Sequence, residues 1–143
     1  MRTPIAYTFI FNLMIIFILI VFAFMAGTMS YYKAFKVNNR MVHAIEKYEG
    51  FNDESQLEIE VFLGSMSYKS GGMKCAETYK GMYLVHQGTT YSYCIYIDPE
   101  KPVSGEYYNY GVLTYMSIDL PLINLINFPV FTRTNEIYKF TNT

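Results

Sequence analysis

From Thr3 to Tyr32 the chain runs for thirty residues without an Asp, Glu, Lys, Arg or His. Within that stretch Ile5 to Gly27 is almost uniformly apolar, and as a helix rising about 1.5 Å per residue it covers a bilayer core of about 30 Å. Thr8 and Asn12 are its strongly polar side chains. A threonine hydroxyl can return its hydrogen bond to the preceding turn, but the Asn12 amide is costly against lipid. Two placements satisfy it: against a neighbouring helix, or hydrated among the headgroups. A cleaved signal sequence has an apolar stretch of about 7 to 15 residues and small residues at −3 and −1. This run is longer, and Ala23, Ala26 and Gly27 do not supply that pair, so residues 1–30 are read as a retained anchor.

Beyond the span, Tyr31, Ala34, Phe35, Asn38, Met41, Val42, Ile45 and Tyr48 recur at spacings of three and four, which places them on one helical face. No proline occurs between Pro4 and Pro99, and nothing breaks the pattern before Gly50. The spacing therefore predicts one helix from Ile5 to Tyr48, about 65 Å long, with residues 31–50 standing outside the membrane. Its outer stripe, with Phe35, Asn38, Met41, Val42, Ile45 and Tyr48, needs a cover, either the chain's own C-terminal domain or another subunit. Charge on this rod is segregated: Lys33, Lys36 and Arg40 precede Glu46, Glu49, Asp53, Glu54, Glu58 and Glu60, with Lys47 among the acids. A solvated face touching lipid headgroups accounts for this, and so does head-to-tail pairing between staggered subunits.

Residues 51–143 read as a small α+β domain. Asn52 and Asp53 are good N-cap residues, and Asp53 with Gln56 fits a loose capping box, so a second helix is expected to about Leu63, with Ile59, Phe62, Leu63 and Met66 inward. Ser70 to Gly72 reads as a turn. From Met82 the period changes to two and aromatic and β-branched residues take over, the mark of strands. Tyr91, Tyr93, Ile95 and Ile97 share one face of a strand ending at Asp98-Pro99. After a loop of five to eight residues, Tyr108, Tyr110, Val112, Thr114, Met116, Ile118 and Leu120 form the inward set of the next strand, giving an antiparallel hairpin. Pro121 to Ile126 reads as an apolar turn, helical if capped by Asp119, and Val130 to Phe140 as the last strand. A sheet with one apolar face needs a helical cover, and the outer stripe is available. The fold class is thus α+β: a long helix packed at its outer half on a small antiparallel sheet.

The composition sharpens this. Only 16% of residues are charged against roughly 25% in soluble domains, and the deficit lies in the span. A net charge of −1 gives no basic field for a nucleic acid. No phosphate-binding glycine loop, HExxH helix or GxSxG turn occurs, and no small-molecule substrate, cofactor or catalytic residue is identified. His43, His86, Cys75 and Cys94 match no zinc spacing, so no metal site is expected. Cys94 with His86 lacks an orienting partner for nucleophilic chemistry. Cys75 and Cys94, the two cysteines of the chain, would if bridged close a loop of about twenty residues and contribute about 3 kcal/mol in an oxidising compartment; two unpaired buried thiols are the alternative. Fifteen tyrosines and no tryptophan place amphipathic rings outside the span. Tyr107, Tyr108 and Tyr110 cluster beside a loop, suited either to surface contact with protein or glycan or to filling the core with hydroxyls at its rim. Flanking charge is ambiguous: Arg2 and the α-amino group stand on one side, Lys33, Lys36 and Arg40 on the other, a literal count that favours a cytoplasmic C-terminus.

The order of parts resembles the pilin-like proteins, especially the TadE-like minor pilins of tight-adherence pili and their relatives in Gram-positive bacteria. The residues that carry the likeness are the span Ile5 to Gly27, the stretch FKVNNRMVHAIEKYEGFN from Phe35 to Asn52, the pair Cys75 and Cys94, and YMSIDLPLINLINFPV from Tyr115 to Val130. The resemblance implies a single-pass membrane protein with an extracytoplasmic domain. It also implies a Cys75–Cys94 disulfide and a structural or accessory role beside other pilin-like subunits in a pilus or secretion assembly. The Gly before the apolar segment and the Glu at its fifth position, which pilin precursors use for processing and for filament assembly, are absent here. A single-pass protein that displays a binding domain without polymerising is the other expectation.

Overall fold

The structure, a computed structural model, describes residues 3–66, 68, 72–120 and 123–140. The fold is α+β, one long N-terminal helix packed against a curled antiparallel sheet. Helix α1 runs unbroken through 45 residues, Thr3–Lys47, about 67 Å at 1.5 Å per residue. It stops where Glu49 and Gly50 take positive φ (54° and 148°) and the Gly50 N–H bonds back to the Ile45 carbonyl at 2.9 Å. Helix α2, Asp53–Ser65, folds back alongside it. Its cap is set one residue earlier than the spacing of Asp53 and Gln56 suggests. Extended Asn52 accepts from the Ser55 N–H through Oδ1, and its own N–H donates to Ser55 Oγ, both at 2.9 Å.

The strands are β1 (Thr78–Tyr79), β2 (Met82–Gln87), β3 (Tyr93–Asp98), β4 (Tyr107–Leu120), β5 (Ile123–Arg133) and β6 (Ile137–Tyr138). They pair in the order β1-β2-β3-β4-β5, with β6 joining the start of β4. The tight β1–β2 turn uses Lys80 and Gly81, both at positive φ, as a two-residue hairpin loop requires. The expected helical turn at Pro121–Ile126 is corrected at its C-terminal side. Ile123 already opens β5, whose apolar residues pair across to β4 from Leu120↔Ile123 to Gly111↔Arg133, and Asp119 belongs to β4 rather than to a cap. Pro129 is tolerated because β5 is an edge strand. The expected single last strand is divided: β5 ends at Arg133, and Ile137–Tyr138 returns to Tyr107–Tyr108. The turn expected at Ser70 and Gly71 lies outside the described residues.

The main core lies between α1, α2 and one sheet face, where Val37, Met41, Ile45, Ile59, Leu63, Tyr93, Ile95 and Val112 are buried. Each fully buried aliphatic side chain here contributes about 1.5–3 kcal/mol. The buried arc of α1 is wider and rotated relative to the predicted stripe. Val37 and Ala44 are buried, whereas Tyr31 and Phe35 remain 56% and 44% exposed. The cause is α2, which covers the flank marked by Arg40 and Lys47, a second cover that the helical periodicity does not reveal. The opposite sheet face carries a smaller core of Met82, Cys94, Tyr96 and Leu113, flanked by Tyr79, Tyr115 and Phe131. Gly111 sits beneath it, where a Cβ would come within 2.5 Å of the Phe131 ring. Strand β3 is therefore buried on both faces.

Candidate functional site

The first half of α1 is an apolar rod that no other part of the described chain covers. Every residue from Thr3 to Met25 is exposed, and the helix is long and apolar enough to cross a membrane. Polar groups inside the rod are handled locally: Thr8 Oγ1 donates to the Pro4 carbonyl at 2.9 Å, and Thr28 Oγ1 to those of Met25 and Phe24. Asn12 lies on this exposed rod. One to two turns past Gly27, Tyr31 and Tyr32 are exposed, and Tyr31 stacks on Phe35 with ring centroids 6.4 Å apart. Lys33 and Lys36 follow within the next turn.

Where α1 enters the domain, Asn38 is fully buried and ties the helix to two strands. Its Nδ2 donates to the Val130 carbonyl at 2.8 Å, with longer contacts to the Val112 carbonyl (3.3 Å) and Thr132 Oγ1 (3.4 Å). Its Oδ1 accepts from Thr114 Oγ1 at 2.8 Å. Both ends of the amide are thus satisfied inside the core, as a buried amide requires. The stripe reading places Asn38 inward but carries no signal for its partners, which come from strands 74 to 94 residues away.

Cys75 and Cys94 form a disulfide. It joins the segment before β1 to the second residue of β3, and the bridged Cys94 has no thiol for a Cys–His pair. His86 lies between the rings of Phe51 (5.0 Å) and Tyr93 (5.8 Å), and burial there lowers its pKa. Its Nε2 and the Tyr93 hydroxyl are buried without a hydrogen-bond partner among the described residues, and burial pushes Tyr93 up to about 12. His43 is exposed on α1. Among the described residues no group of three or more His, Cys, Asp or Glu comes together.

The tyrosine cluster divides. Tyr107 is 62% exposed and meets Tyr138 edge-on, but Tyr110 is buried, and Tyr108 is half-buried with its hydroxyl donating to the Glu49 carbonyl at 2.9 Å. Of the two expected roles, Tyr108 and Tyr110 take the packing one, against the end of α1, because period two turns both toward the helix. No family model matches the chain, and no curated protein or solved structure shows significant similarity to it.

A surface that the sequence reading passes over lies on α2. Leu57 and Val61, one turn apart, are each 65% exposed and border a groove with Arg40, Tyr48, Glu58 and Phe62. The Arg40 guanidinium lies over the Phe62 ring, 5.9 Å from its centroid, and 3.9 Å from Glu58; Lys47 meets Glu58 at 2.7 Å. The Lys47 hydrogen bond lowers the pKa of Glu58 and Glu58 raises that of Lys47, but in water such pairs stabilise little. Their consequence is geometric, since they fix the rim of an apolar patch. The signal was present as the Leu57–Val61 spacing, which also fits a strand.

Proposed function

We propose that the chain is a membrane-anchored, pilin-like structural or accessory component of an extracytoplasmic surface assembly. The observation that carries this reading is the unbroken α1. One helix supplies both the apolar rod and the buried spine of the domain, so the domain is held at a fixed height and angle to the bilayer. A module displayed for ligand capture gains reach from a flexible linker, whereas a subunit of an ordered array gains from this rigidity. The disulfide supports an extracytoplasmic domain. The opposing charge count is weakened because Arg40 is engaged by Glu58 and Phe62. Leu57 and Val61 then offer an apolar patch, outside the bilayer, to a neighbouring subunit or assembly protein.

The test is cross-linking in intact cells followed by isolation of the detergent-solubilised protein. Wild type is expected to yield discrete higher-mass species, and Leu57→Glu with Val61→Glu to reduce them at least fivefold without loss of monomer. Both positions are exposed, so the monomer fold tolerates the change. A cross-linking pattern identical in the double variant would remove the patch from assembly. A solely monomeric wild type would favour a non-polymerising display role.

A further inference from the structure

We infer that the α2 patch receives a second copy of this chain, which offers the outer face of its sheet around Lys80, Phe131 and Arg133. This rests on the reading of the chain as an assembling subunit. Helix α2 carries Asp53, Glu54, Glu58 and Glu60 and no basic residue. Glu58 is engaged by Lys47 and Arg40 and Glu60 accepts from Gln56, which leaves the exposed Asp53 and Glu54 without a cationic partner among the described residues. They stand one turn above Leu57, on the side of α2 turned away from buried Ile59 and Leu63. The segments that build the outer sheet face, 72–87 and 127–135, hold Lys74, Lys80 and Arg133 against one acid, Glu77. The sheet curls there until its two ends touch: Tyr79 of β1 packs on Phe131 of β5 with ring centroids 5.2 Å apart. The Lys80 Nζ lies 5.1 Å from the Phe131 centroid and the Arg133 guanidinium 6.0 Å, and Arg133 Nη2 donates to the Lys80 carbonyl at 3.0 Å. Two exposed cations are thus held beside one ring, and among the described residues neither has a carboxylate partner.

The two surfaces stand at the same height along α1, measured away from the apolar rod. Arg40 and Lys47 both reach Glu58, so Glu58 lies level with the midpoint between them, near Ala44. On the sheet, Tyr108 bonds to Glu49 and Thr114 to Asn38, so Gly111, halfway between, is level with the same turn, and Arg133 is its β5 partner. About 7 Å higher lie Asp53 and Glu54 on α2 and, on the sheet, the row of Met82 and Asn109, beyond which the turn at Lys80 closes. About 5–7 Å lower, Val61 and Phe131 share a level. The surfaces also face opposite ways, since α2 packs on the main-core face of the sheet and Tyr79 and Phe131 lie on the other. A second copy shifted sideways without rotation therefore sets its outer sheet face on the first copy's α2. Lys80 then meets Asp53 and Glu54, Arg133 meets Glu58, and Phe131 meets Val61. Every α1 keeps one direction and one depth, as a shared bilayer requires. Two α2 ridges packed on each other would set acid against acid. The contact joins two different surfaces, so each added copy leaves one of each open and a row grows.

The test uses the purified full chain with Cys75 and Cys94 bridged, reconstituted into phosphatidylcholine vesicles and treated with a short bismaleimide. Asp53→Cys and Glu77→Cys in one chain leave Glu54, Glu58, Lys80 and Arg133 in place, and both positions are exposed. This pair is expected to give a ladder of dimers and larger species, severalfold above the control pair Asp53→Cys with Val103→Cys. Each single variant is expected to stay monomeric, and a mixture of the two singles to stop at the dimer. Adding Lys80→Glu and Arg133→Glu is expected to cut the ladder severalfold. A dimer from Asp53→Cys alone would mean that α2 packs on α2 and would overturn the inference. A ladder no stronger than the control, or one indifferent to the charge reversal, would overturn it too, while loss of the in-cell cross-links in Leu57→Glu with Val61→Glu would still support the assembly reading. A wild type that is monomeric in cells, with no ladder in vesicles, would overturn both.

Discussion

Asn38→Leu is expected to destabilise the domain by about 3 kcal/mol, although it replaces a fully buried side chain with an apolar one of similar size. Leucine fills the volume but leaves Thr114 Oγ1 without its acceptor at 2.8 Å and the Val130 carbonyl without its Nδ2 donor. Each orphaned buried group costs about 1–3 kcal/mol, which exceeds the gain from added apolar surface. Pairing Asn38→Leu with Thr114→Val should recover about 1 kcal/mol, since removing both partners leaves fewer unsatisfied groups. Urea unfolding in detergent, followed by the near-ultraviolet dichroism of the fifteen tyrosines, measures both. A cost below about 1 kcal/mol for the single variant would mean that Asn38 does not lock α1 to β4 and β5.

The second large effect is at the disulfide. Cys75 and Cys94 are 19 positions apart, and opening a loop of that size costs about 3 kcal/mol through the entropy restored to the unfolded chain. The residues enclosed include β1 and β2, one edge of the sheet, which cover the second core with Met82 and Tyr79. Cys75→Ala with Cys94→Ala also removes a buried sulfur, so reduction of the wild type is the cleaner comparison. Both should lower stability, the double variant by the same amount or slightly more. Reduction that leaves the urea midpoint unchanged would show that the bridge does not hold this edge in place.

The parts of the fold legible in the sequence are those fixed by local periodicity. The charge-free run before Lys33 and the three- and four-residue spacing to Tyr48 specify α1 because one helix is the cheapest way to satisfy a backbone that has no proline or glycine break outside the apolar run. The alternation from Tyr108 to Thr114 specifies β4 and its helix-facing side. What depends on a second cover is not legible. The stripe aims the packed face toward Phe35, but α2 shifts burial to Val37 and Ala44, and nothing near those residues announces where α2 will lie. Likewise Cys94, Tyr96 and Leu113 alternate with the inward set and look solvent-facing, until the disulfide and β1–β2 build a second core over them. The apolar run after Asp119 is readable as a turn or a strand, and pairing with β4, a long-range event, decides for strand from Ile123. The exposed pair on α2 is weakly encoded because its spacing also suits a buried face.

The proposed role requires α1 to span the bilayer with the domain on the extracytoplasmic side. Val103 in the β3–β4 loop is 61% exposed and lies at the end of the sheet opposite the β4–β5 hairpin. With Cys75 and Cys94 bridged, Val103→Cys supplies one free thiol for a membrane-impermeant maleimide. Labelling in intact cells at the level reached after lysis is the predicted result. Labelling only after lysis would place the domain in the cytoplasm and overturn the proposed topology.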